Sequence, residues 1–161
     1  MDAITRASAI GDLHDFDFLT GRWNILNRRL KTPLAGSIEW DEFPATSRCE
    51  QRLGSVANID EIEFATKGFS GLTIRVFDLE RRRWAIYWVN SRVGLMLTPV
   101  YGGFEGDRGE FYGEDVDEGR TIQVRFLWQR QGADAARWEQ AFLLDGREWE
   151  TNWTMDLRRV E

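Results

Sequence analysis

Three side chains in this sequence have chemistry to offer if a fold buries them: the arginine Arg29 and the carboxylates Asp60 and Asp115. Arg29 ends an alternating row, Trp23, Ile25, Asn27 and Arg29, in "RWNILNRRL". On a strand these side chains share one face, so an inward Trp23 carries Asn27 and Arg29 inward with it. A buried arginine must be paired or must serve an anion, because an isolated cation is costly away from water. The opposite register leaves Arg29 in solvent, and periodicity alone allows both. Asp60 in "ANIDEIEF" and Asp115 in "GEFYGEDV" lie on strands of ambiguous parity. A carboxylate in an apolar interior acquires a raised pKa and can move protons, which is the enzymatic option.

The other polar candidates for an interior are Gln51 beside Cys49, Asn90 beyond Trp88, and Gln140 beside Trp138. Trp40, Trp88, Trp128, Trp138 and Trp153 either fill a core or form the wall of a ligand site. The ligand-binding candidates are therefore Asn27, Arg29, Trp40, Gln51, Trp88, Asn90, Trp128, Trp138 and Gln140, with no catalytic residue singled out. His14, the single histidine, precedes the strands and reads as a surface residue near Asp12 and Asp15. No histidine or cysteine spacing suits a metal, and no Ser-His-Asp or Cys-His set can be assembled. The glycines of "YGGFEGDRGEFYG" precede no helix, so they read as turns and strand kinks rather than a phosphate cradle. No cofactor and no metal are expected.

The elements that must position these residues are strands. In "ARWEQAFLLDGREWETNWTMDLRR", Asp145-Gly146 suits a type I′ hairpin turn, whose central residues both need positive φ. Trp138, Gln140, Phe142 and Leu144 alternate before it, and Trp149, Thr151, Trp153, Met155 and Leu157 after it. The same alternation in "SIEWDEF", "TSRCEQRL", "LTIRVFD", "RWAIYWVN", "GLMLTPV" and "TIQVRFLWQ" predicts about ten strands joined by hairpin-length turns. A meander of that length avoids exposed edges by curling shut, so an all-β, antiparallel up-and-down barrel is predicted. Residues 1–20 read as a short helical lead-in and 21–159 as the barrel, within one domain spanning 1–161.

Composition narrows the partners. The 161 residues carry a formal net charge of −6, which disfavours nucleic acid, and "NRRLK" and "ERRRW" are too short and too close to acids to change that. No run of about 18 apolar residues predicts a membrane span. The lone Cys49 permits no internal disulfide, and no signal-peptide pattern opens the chain, so a cytoplasmic location is expected. Leu26, Leu30, Tyr87, Val89 and Leu127 fall on outward parity, and such an apolar surface predicts a homodimer.

"TGRWN", directly before the first strand, resembles the Gly-x-Trp opening of lipocalins and other calycin-type barrels. With "FDFLTGRW" at the start and the closing hairpin at the end, the chain is similar over nearly its full length to bacterial lipocalin-like proteins of unknown function. The resemblance implies that Trp23 lies across the closed end of the barrel beneath a basic side chain of the last strand. The alternation independently offers that side chain: Arg159 follows Leu157 on the same face, and a guanidinium stacks well on an indole. Trp23 and Arg159 are thus expected to plug one end. The family's haem-binding members use a histidine late in the chain, and these strands have none. The resemblance and the residues together imply a barrel that binds a small, largely apolar molecule, including one with an acidic group. Two alternatives stay open: an enzyme moving protons on such a ligand, as calycin-type cyclases and decarboxylases exist, and an interaction protein with a filled barrel.

Overall fold

A computed structural model describes residues 10–94 and 98–160. It shows ten antiparallel strands: β1 (Gly21–Leu30), β2 (Trp40–Arg52), β3 (Ala57–Phe64), β4 (Phe69–Asp78), β5 (Arg83–Asn90), β6 (Val100–Glu105), β7 (Arg108–Asp117), β8 (Arg120–Arg130), β9 (Ala135–Leu143) and β10 (Glu150–Val160). Each pairs with its neighbours in sequence, and β1 pairs with β10 to close the barrel. Among the described residues there is no α-helix, only 3-10 turns. The predicted helical lead-in lies partly outside the described residues; from Ile10 onward it contains a single such turn, Asp17–Leu19.

Two departures from the expected strands have local causes. "SIEWDEF" and "TSRCEQRL" belong to one strand, β2, in spite of Pro44. Proline is tolerated there because β2 pairs with β3 only from Thr46 onward, so the side of Pro44 that lacks an N–H faces no ladder. Conversely, "YGGFE" is strand β6 rather than a turn. A Cβ on Gly103 would come within 2.5 Å of the Gly11 Cα, so this glycine exists to let the lead-in run close against the sheet. The strand expected in "GLMLTPV" falls largely on residues outside the described ones.

The closing hairpin also differs. Asp145 and Gly146 both have positive φ, at 50° and 69°, as a type I′ turn requires. Yet β10 begins only at Glu150, and its register with β9 slips between Thr151 and Trp153. This bulge at Asn152 reverses the alternation. Trp153, Met155 and Leu157 point inward, while Trp149 leaves that row and packs on Tyr112 and under the Arg125 guanidinium, 4.8 Å from the ring centroid.

The lead-in fills one end of the barrel. Phe16 and Leu19 are buried, and the Phe16 ring meets Trp84, Phe104 and Phe111 at centroid distances of 5.1, 5.3 and 5.6 Å. Trp23 is 1% exposed and its Nε1 donates to the Leu19 carbonyl at 2.8 Å. The Arg159 guanidinium lies 4.3 Å from the Trp23 ring centroid. The same guanidinium donates to the carbonyls of Phe18, Thr20 and Ala133, tying the lead-in to the last strand and to the β8–β9 loop.

Asp15 anchors this lead-in by accepting hydrogen bonds from the backbone N–H of Asp12 and Phe104, at 3.0 and 3.1 Å. Burial raises its carboxyl above the ordinary range, and those N–H groups only partly oppose the shift. Between the ordinary value and the raised one, the folded chain holds a proton that the unfolded chain has released. Stability therefore falls as pH rises through that window. Asp15→Asn keeps an acceptor and removes the half-buried charge. Thermal melts should show it more stable than wild type at neutral pH, with the gap closing below about pH 4.

Of the outward apolar residues, Leu26 is 47% exposed and Tyr87, Val89 and Leu127 are half-buried. Leu30 is instead buried, beside its register partner Trp40 at the strand end.

Candidate functional site: the barrel lumen and its polar pair

The end of the barrel opposite Trp23 is also packed with rings. Phe64, with no exposed surface, stacks on Phe69 at 4.5 Å and meets Phe43 and Trp153 at 5.9 Å each. Trp88 stands at 6.3 Å from Trp153 and lies across Gly71, where any Cβ would collide with the indole. The expected open mouth is thus an aromatic cluster, because β2, β3, β4, β5 and β10 each deliver a ring to the same level.

Between the two aromatic layers lies a cavity walled by Trp88, Trp128, Trp138 and Trp153, together with Ile25, Ile62, Ile86, Phe126, Met155 and Leu157. The centre of a water-sized molecule can move through about 80 Å³ of it. That is several times the roughly 10–15 Å³ one water needs.

The charged groups on this apolar wall come from β3 and β4. Asp60 and Arg75 are 8% and 4% exposed, and the Arg75 Nη2 lies 2.6 Å from the Asp60 Oδ2. The Arg75 Nη1 donates to the Asn58 Oδ1 at 2.9 Å. Its guanidinium sits 5.0 Å from the Phe16 ring and 5.8 Å from the Trp128 ring, directly above the lead-in plug. The Arg75 Nε is buried without a partner among the described residues. Thr73, Ser47 and Gln140 add neutral polar groups to the lining.

The register explains this placement. Phe64 opposite Phe69 closes the β3–β4 hairpin, which sets Asp60 opposite Thr73 and Asn58 opposite Arg75. Arg75 is the group that periodicity conceals. In "LTIRVFD" the more apolar row is Leu72, Ile74 and Val76, and that row faces outward, half-buried, while Thr73, Arg75 and Phe77 face inward. The signal that could reveal it is Asp60 on an otherwise inward row with Ile62 and Phe64, because a carboxylate so placed calls for a cation on the adjoining strand.

The sequence candidates divide between the cavity and other places. Trp88, Trp128, Trp138 and Gln140 line the cavity. Asn27 is fully buried but spent on structure, donating to the Phe43 carbonyl and accepting from the Trp153 Nε1 at 3.0 Å. Arg29 stands at the rim with its guanidinium 4.5 Å from the Trp153 ring, outside the cavity. Trp40 is on the outer face under Arg28, since Phe43 is inward and Trp40 has the opposite parity. Gln51 is exposed beyond the plugged end and donates to the Asp17 carboxylate. Asn90 caps the turn after β5, accepting from the N–H groups of Arg92 and Val93. Asp115 is half-buried near the opposite rim and accepts from the Val116 N–H. His14 is exposed, as expected; its backbone N–H donates to the Asp12 Oδ1 at 2.9 Å, and its ring lies 2.7 Å from the Asp17 carboxylate.

Burial pushes the Cys49 thiol up to about 12, so near neutral pH it stays protonated and offers no thiolate. Among the described residues no cluster of three or more His, Cys, Asp or Glu suits a metal ion. The architecture and cavity define a closed ten-strand antiparallel barrel with a polar pair in an aromatic lumen. No family model matches the chain, and the search of curated proteins finds no relative.

Proposed function

We propose that this is a lipocalin-like barrel that binds one small, largely apolar molecule in its lumen. The observation that carries the reading is the cavity between the two aromatic layers, with the buried Asp60–Arg75 pair in its wall. The wall favours a compact hydrophobic body by area burial and by ring contacts. Arg75, Thr73 and Gln140 favour one polar group on that body, a hydroxyl or carbonyl, and the unpartnered Arg75 Nε is a donor suited to it. Because Arg75 already neutralises Asp60, this pair leaves no net charge for a carboxylate to balance. A neutral ligand fits better than the acidic one that Arg29 suggested.

The tryptophans on the wall make the test direct. Phenol, benzyl alcohol and cyclohexanol should change tryptophan fluorescence saturably. Ser47→Leu, which pushes a larger side chain into the cavity, should abolish the response while leaving a cooperative melt. If none of these compounds alters fluorescence or melting temperature, the barrel is filled and its role lies on its surface.

A further inference from the structure

Outside the lumen, the ring-packed end carries a rim groove of about 360 Å³, lined by Arg29, Lys31, Asp41, Lys67 and Arg92 beside Phe43 and Phe69. Three of the four cations come from separate segments: β1 gives Arg29, the β3–β4 loop Lys67, and the loop after β5 Arg92. Each is laid on a ring. Arg29 lies 4.5 Å from the Trp153 centroid, Arg92 4.2 Å from that of Phe69, and Lys67 5.1 Å from that of Phe43.

The charges do not balance. Asp41, the one acid among the described lining residues, is taken by Lys67, and Lys31 reaches Glu39 at 3.8 Å. Neither Arg29 nor Arg92 has a carboxylate partner among the described residues. Arg92 donates to the Lys67 carbonyl at 2.7 Å, a neutral acceptor that orients the guanidinium without cancelling its charge. In a chain of net charge −6, this is a local excess of positive charge built into a concave surface. We infer that the groove binds a small oxyanion, a phosphate or a carboxylate, between the guanidinium groups of Arg29 and Arg92.

Arginine suits the role because its planar fork matches an oxyanion in bidentate fashion and it is more weakly hydrated than lysine. Stacking on Trp153 and Phe69 restricts both side chains, so less freedom is lost on binding. Burial lowers the Arg29 pKa and the neighbouring Arg92 lowers it further, which is the repulsion a bound anion would relieve. The groove and the cavity share no lining residue; Trp153, a wall of the cavity, also lies under the Arg29 guanidinium.

The test compares sodium phosphate, sodium acetate and sodium chloride at matched ionic strength, by calorimetry and by thermal melts. Phosphate or acetate should bind saturably to wild type and raise its melting temperature beyond the chloride control, and the stronger of the two identifies the head group. Arg29→Met and Arg92→Met should each weaken binding at least about tenfold, the loss of one charge-assisted pair. Arg48→Met, whose residue pairs with Glu50 on the outer face, should bind like wild type. The inference fails if neither oxyanion exceeds chloride, or if both rim variants bind as wild type does. Tryptophan quenching by phenol is read separately, so a failed lumen leaves this result intact.

Discussion

Replacing Trp23 by alanine should destabilise the barrel by about 3–5 kcal/mol, the cost of truncating a large aromatic in a core. Trp23 is buried and donates to the Leu19 carbonyl, which ties it to the end of the lead-in. A cation–π contact partly shielded from water would by itself make Arg159→Ala cost about 1–2 kcal/mol. The structure raises that expectation to about 2–4 kcal/mol, because Arg159 also holds three backbone carbonyls that a charged donor satisfies. Denaturant melts of both variants and the double mutant give the coupling between them. Effects that add within about 0.5 kcal/mol would mean that the two side chains act independently, and the plug would not be a unit.

Arg75→Met is expected to cost about 3–5 kcal/mol, since it strands the Asp60 carboxylate in an apolar wall. Pairing it with Asp60→Leu removes both charges, and the double variant should recover most of the loss or exceed wild type. The asymmetry separates a pair kept for stability from one kept for the ligand. If the double variant is stable yet no longer responds to phenol, the pair serves binding. Were Arg75→Met as stable as wild type, the burial of this pair would be in error.

The contrast between these two sites shows what alternation can reveal. Arg159 ends a row, Trp153, Met155 and Leu157, that is clearly more apolar than its neighbour, and closing the meander sets it opposite Trp23. Arg75 sits on a row that is the more polar of two, and only the opposed charge of Asp60 betrays that it faces inward. Alternation puts Trp149 on the wrong face because a bulge has no compositional signature: Asn152 is an ordinary strand residue until its partner strand is seen. The glycines of β6 mislead for a related reason. Glycine marks both turns and places where another backbone passes closely, and here the Glu110 carbonyl beside Gly102 and the Gly11 backbone beside Gly103 tell them apart. The ring cluster around Phe64 is invisible in the sequence because its members come from five strands at one level, a coincidence of register rather than of any local pattern.

The pairing of β1 with β10 bears on how the chain reaches this state. Nine of the ten ladders join neighbours in sequence and can zip locally, whereas this seam aligns Arg22 with Val160 and Arg29 with Trp153. Its loop-closure entropy must be met before any of its hydrogen bonds form, so it belongs late on the folding route. Until then the sheet presents two unpaired edges, the kind of surface through which chains stick to one another. Arg159 lies on this seam and also clasps the lead-in, so closing the barrel and seating its plug become one event. Refolding yield should therefore fall with protein concentration far more steeply for Arg159→Ala than its loss of equilibrium stability alone would bring about.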